Sequence, residues 1–244
     1  AHTNLDSADG GMNDWLATAL KLQNVTGLVP GYHADAVKLT AIVPTDRVEA
    51  VQDYLTKTAG AKLDRYAFNS GEQFTVDILQ DAVATAVAGI NQIVPANQWD
   101  YQLQPLVGGG HQYTMGRIGT LAEPMTVQAF AEQCKTTFHI QGLRLVSQQP
   151  DALIQRVAVL GGDGGKFYKT ALKQGAQVFV TGDVYYHTAH EMLAAGLSVI
   201  DPGHHIESIC KPQLTALFKQ WQVENDWSLE VVASQLTTDP FTFI

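Results

Sequence analysis

"RVAVLGGDGG", residues 156–165, sets four apolar residues in a row directly against a cluster of glycines. A run this short and Val-rich, closed by turn residues, predicts a strand buried on both faces. Working outward, further apolar runs at 177–181, 197–201 and 229–236 alternate with helix-like segments over 166–174, 185–195 and 206–222. Single helices between short strands predict βαβ crossovers, and therefore a mostly parallel sheet covered on both faces. In such sheets chemistry collects in the loops beyond the carboxyl ends of the strands. Three of those loops are polar or Gly-rich: "GGDGG" (161–165), "TGD" (181–183) and "DPGHHIE" (201–207).

Upstream the rhythm changes. "AHTNLD" (1–6) reads as a strand end entering a Gly-rich loop, and "MNDWLATALKLQ" (12–23) reads as an amphipathic helix that opens after Gly10 and Gly11. Then come a strand "VKLTAIV" (37–43), a helix over 45–60, a strand "AKLDRYAF" (61–68), a short strand "QFTV" (73–76), a helix over 77–94 and a strand "QWDYQLQPL" (98–106). That βαββαβ order is the ferredoxin-like pattern. The glycines of "VGGGHQYTMGRIG" (107–119) predict an exit linker. Residues 35–115 therefore read as an insert between 1–34 and 116–244.

Composition narrows the function classes. The chain has 244 residues, and its 45% apolar content suffices for a core. A net charge of −9 with only 15 Lys and Arg argues against nucleic acid as the main partner, because phosphate contacts need a basic face. No run approaches the length of a membrane span and no secretory pattern opens the chain, so the expected setting is cytoplasmic. The two cysteines, Cys134 and Cys210, form no CxxC and no disulfide framework.

His204 and Glu207 stand three apart where a strand gives way to a helix, so one turn brings both side chains to the same side. That is metal-ligand spacing, with Gly203 freeing the backbone for a close approach. Asp6 reads equally as an N-cap or turn residue. "TGDVYYHTAH" adds Asp183, His187 and His190, of which His187 points toward the strand-end crevice. "LGGDGGK" lacks the spacing of a phosphate-binding P-loop, and no G-x-S-x-G elbow is present.

"AHTNLDSADGGMNDWLA", "MGRIG", "VTGDVYYHTAHEMLAAGLSVIDPGHHIE" and "ASQLTTDPFTFI", in this order, resemble the Nif-three-like family, whose bacterial members are often labelled GTP cyclohydrolase I type 2 homologues. The resemblance implies two mostly parallel α/β lobes with a dinuclear metal centre between them, a ferredoxin-like insert similar to PII and CutA-type proteins, and assembly as a homohexamer. By position it makes Asp6, His204 and Glu207 metal ligands, with Glu207 bridging. It places His2 and His187 around them, and makes Glu207 and His187 the candidate catalytic groups. It also implies a histidine pair, upstream of the position of Ala1, that completes the family site. The implied cofactors are two divalent ions of Zn, Mn, Fe or Mg, and the implied reaction is hydrolysis of a nucleotide, with a phosphoester as another target. A non-enzymatic reading stands beside it: a metal-binding or regulatory oligomer whose insert senses a small molecule.

Overall fold

The chain enters through two helices, α1 (His2–Ser7) and α2 (Met12–Ala19), where a strand end is expected at "AHTNLD". Gly11 makes the turn between them possible, since a Cβ there would sit 2.2 Å from the Leu5 carbonyl oxygen. The segment closes on itself as a helix, with the Ala8 N–H donating to the Asn4 carbonyl. The structure is a computed structural model and describes residues 2–59, 64–68 and 71–244. It divides into two units, residues 32–112 and residues 1–31 with 113–244.

Residues 32–112 carry much of β1 (Gln23–Val43) and the start of β4 (Asp100–Thr126), with α3 (Val48–Ala59), β2 (Asp64–Phe68), β3 (Gly71–Leu79) and α4 (Val83–Ile93) between them. The strand order is β2-β3-β1-β4, with β3 antiparallel to both β2 and β1, as a ferredoxin-like unit requires. The first residues of the strand expected over 61–68 lie outside the described residues. Over 37–43 every second residue of β1, namely Val37, Leu39, Ala41 and Val43, is buried with Val51 and Leu55 of α3 and Ile90 of α4. Period-two burial on one face is why this strand alternates in sequence.

The other unit holds the rest of β1 and β4, then α5 (Val127–Thr137), β5 (Arg144–Val146), β6 (Leu153–Asp163), α6 (Tyr168–Lys173), β7 (Val178–Gly182), α7 (Tyr186–Ala194), β8 (Ser198–Asp201) and α8 (Cys210–Glu224). Neighbouring strands run β4-β6-β7-β8-β5. The β6-β7-β8 centre is parallel, and antiparallel β4 and β5 flank it. "VAVL" is buried on both faces: Val157 and Val159 join Leu16, Leu20, Phe130 and Val180 on one side, while Ala158 and Leu160 join Phe179, Met192 and Val199 on the other. Residues 1–31 thus share a core with 113–244.

Two further sequence expectations change. The Gly-rich stretch over 107–119 is β4 itself and not a linker. Gly110 and Gly119 serve close strand packing, since a Cβ on them would lie 2.3 Å from the Ala34 and 2.7 Å from the Gln23 carbonyl oxygen. The strand expected over 229–236 does not form, for residues 225–244 contain neither helix nor strand. The apolar alternation there has no strand to pair with among the described residues.

Candidate functional site

β6, β7 and β8 end side by side, and three buried polar side chains tie the loops that leave them. Thr181 closes the first loop: its hydroxyl accepts from the Gly164 N–H at 2.9 Å and donates to the Gly162 carbonyl at 3.1 Å. Asp201, only 2% exposed, binds the other two. Its Oδ2 accepts from the Val184 N–H at 3.0 Å and from the Arg144 guanidinium, and its Oδ1 accepts from the Gly203 N–H at 2.9 Å. Asn13 of α2 reaches in from the other side, its Oδ1 accepting from the Gly161 N–H at 3.0 Å while its Nδ2 donates to the Asp6 carbonyl at 2.8 Å.

Within this frame His204 meets two carboxylates. Gly203 (φ +83°) starts a 3-10 turn over His204–Ile209, and three residues per turn set His204 and Glu207 one above the other. His204 Nε2 lies 3.4 Å from Glu207 Oε2, and Nδ1 lies 2.6 Å from Asp183 Oδ2. Asp183 holds a left-handed backbone (φ +54°), a conformation costly for a residue with a Cβ, and the Val184 N–H bound to Asp201 fixes it there. Gly162 (φ +62°) gives the pair its room: a Cβ on it would come within 3.0 Å of Glu207 Oε1 and 3.1 Å of His204 Nε2.

The carboxylates here are short of positive charge. Burial pushes the Glu207 carboxyl above its usual range, with Asp6 and Asp183 adding to the rise and His204 and His2 opposing it. Burial likewise raises Asp6, against His2 and His204. The hydrogen bond to Asp183 raises His204, helped by Glu207 and Asp163 and opposed by burial. Asp6, His2, Asp183, His204 and Glu207 therefore act on one another through a common field. His187 stands apart. It is exposed on the first turn of α7, with its ring edge-on to Tyr186 at 5.4 Å, and among the described residues no hydrogen bond or ion pair links it to His204 or Glu207.

The donor chemistry fits a divalent ion. An imidazole Nε2 faces a half-buried carboxylate, and the second ring nitrogen is held by another carboxylate, as metal-bound histidines usually are. A cation would also relieve the raised acids. Among the described residues, no three His, Cys, Asp or Glu side chains are gathered closely enough to hold an ion by themselves. His204 sits against both Glu207 and Asp183, and Asp6 acts on this group from α1.

Burial pushes the Cys134 thiol up to about 12, and burial followed by Glu207 raises Cys210. A cavity of about 310 Å³ opens at the other end of the sheet, where β6 and β8 begin, lined by Gln148, Leu153, Gln177 and Ser198 among others. No ionisable side chain lines it, so it does not compete as a catalytic centre.

The bridging roles of Asn13 and Thr181 escape a reading by motif, because neither belongs to one. The available signal is a polar residue on a buried helix face, since Asn13 sits among Met12, Leu16 and Ala17.

Residues 1–240 match the Duf34/NIF3 (NGG1p interacting factor 3) family. The chain is 36% identical to the GTP cyclohydrolase 1 type 2 homolog of Halalkalibacterium halodurans, covering 100% of this chain and 73% of that protein. It is 33% identical to the Bacillus subtilis protein of the same name, with the same coverage. Among solved structures, a Bacillus cereus protein related to NIF3 superposes with a TM-score of 0.79 at 33% identity, covering 100% of this chain and 72% of that one.

Proposed function

The chain belongs to the Duf34/NIF3 family, and from that premise we propose that it binds divalent metal at His204, Glu207 and Asp6 and serves as a metal-dependent hydrolase of a nucleotide. One observation carries this reading: His204 is held at Nδ1 by Asp183 and presents Nε2 to Glu207, at the carboxyl end of a parallel sheet. The name shared by its relatives, GTP cyclohydrolase 1 type 2 homolog, supports a nucleotide substrate.

A bound pair of divalent ions would supply Lewis acidity, making a bound water more acidic and stabilising the oxyanion that develops when it attacks. The protein's own contribution is order and protonation. Asp183 fixes the ring plane and tautomer of His204, so Nε2 is available as a lone-pair donor. Burial raises the Glu207 carboxyl in the metal-free fold, and a bound cation would hold it ionised as a ligand. His187, exposed at the start of α7, is the candidate to exchange protons with a substrate outside the ligand cluster.

The reading is tested by loading the protein with Zn or Mn and measuring formate release from GTP and hydrolysis of a phosphoester, against chelated protein and His204→Ala. Turnover that depends on both metal and His204 is expected. Bound metal without turnover above that of the free ion would leave a metal-binding protein and remove the hydrolase.

A further inference from the structure

We infer that Asn13 is the positioning residue that brings Asp6 to the metal-binding pair, an inference that rests on the metal reading above. Asp6 sits on α1, a helix of six residues with no fully buried side chain, whose one apolar anchor to the core is the partly buried Leu5. Asn13 is 1% exposed and bound at both ends of its amide. Its Nδ2 donates to the main-chain carbonyl of Asp6 at 2.8 Å, and its Oδ1 accepts from the Gly161 N–H at 3.0 Å. Gly161 is itself in the wall of the site, since a Cβ on it would lie 3.0 Å from Glu207 Oε1. One carboxamide therefore spans from the residue that carries one carboxylate to the backbone that abuts the other.

The chemistry of the bridge selects asparagine. One end must donate to a carbonyl and the other must accept from an N–H, and a single amide has one group of each kind. Serine is too short to span both partners, and leucine fills the volume while making neither bond. Asn13 touches no reacting group and acts through Asp6. The part of its effect on metal binding that runs through Asp6 is absent when Asp6 is absent, so the two losses do not add.

A double-mutant cycle reads this coupling directly. Co(II) is titrated calorimetrically into the full chain, into Asp6→Ala, into Asn13→Leu and into the double variant, with thermal melting to confirm folding. The expected result is a weakening of tenfold or more in each single variant and a loss in the double well short of the product of the two. Asn13→Ser, smaller and easier to accommodate, replaces Asn13→Leu if the latter does not fold, with the same expectation. A folded Asn13 variant that binds Co(II) as the parent does, while Asp6→Ala is impaired, overturns the positioning role alone. Losses that simply add overturn it too, since they mean Asn13 acts independently of Asp6. A parent chain whose Co(II) binding is insensitive to both Asp6→Ala and His204→Ala removes the metal reading, and this inference with it.

Discussion

Arg117 grips Asp14 with two prongs, Nε to Oδ1 at 2.5 Å and Nη2 to Oδ2 at 2.8 Å. The same guanidinium donates through Nη1 to the carbonyls of Thr114 and Gly116, both at 2.9 Å, and Asp14 in turn accepts from the Gly10 N–H at 2.7 Å. A buried arginine of β4 thus fixes the start of α2 and the turn that leads back to α1. Every donor has a partner, which is what makes a buried charge tolerable.

Removing that arginine leaves Asp14 with the Gly10 N–H as its remaining donor and takes the side-chain donor from two carbonyls. Arg117→Met is expected to destabilise the chain by about 3 kcal/mol in urea denaturation, the usual cost of breaking a buried pair. Arg117→Lys keeps the charge and loses the fork, so it should recover only part of that. Full stability in Arg117→Met would show that the pair is no anchor for α2.

Gly162 and Gly196 have similar backbones, φ +62° and +77°, but different surroundings. A Cβ on Gly162 would press on Glu207 and His204, whereas one on Gly196 would meet nothing within 4 Å. Alanine at either position should cost about 1 kcal/mol for the left-handed backbone. Only Gly162→Ala should also weaken metal binding. Calorimetric titration with Zn separates the two, and an equal effect on binding would mean the glycine does not shape the site.

Protons and metal compete for the same atoms, which sets the sign of the pH dependence. Glu207 is raised above 4.5 and His204 above 6.5, so both hold protons in the metal-free fold more firmly than in the unfolded chain. Their contribution to stability is complete below those unfolded values and is lost as pH rises through the folded ones. Metal-free protein should therefore gain melting temperature, relative to Glu207→Gln and His204→Ala, on acidification from above neutral pH through 6.5 toward 4.5. Metal affinity should run the other way and rise with pH over the same interval. A flat difference in melting temperature between parent and variants would contradict the field described at the site.

The parts of this molecule legible in sequence are those where one local rule decides. "VAVL" against glycines gives a doubly buried parallel strand, alternation in 37–43 gives a half-buried one, and three-residue spacing places His204 beside Glu207. What escaped depends on partners distant in the chain. Glycines over 108–119 look like a loop until the close approach of β1 is known, and 229–236 looks like a strand because pattern cannot report whether a neighbour is there to pair. Asn13 is the sharpest case, for its two partners are 7 and 148 residues away.

The insert should be removable. Its first and last residues are adjacent: the Gln112 side-chain amide donates to the Tyr32 carbonyl at 3.1 Å, and a Cβ on Gly31 would lie 3.2 Å from the Tyr113 carbonyl oxygen. Residues 32–112 also have their own core, built from β1, β3, α3 and α4, with Phe74, Leu39, Leu55 and Ile90 at its centre. Replacing 32–112 by a short Gly/Ser linker then closes a gap that a hairpin turn can span, and it takes no residue from the cluster of Leu16, Phe130, Val157 and Val180. The shortened chain is expected to unfold cooperatively on heating and to keep the zinc affinity of the parent, because Asp6, His204 and Glu207 all lie outside the deletion. A non-cooperative melt would show that β1 and β4 cannot hold their register in residues 23–31 and 113–126 without the strands that flank them in the insert.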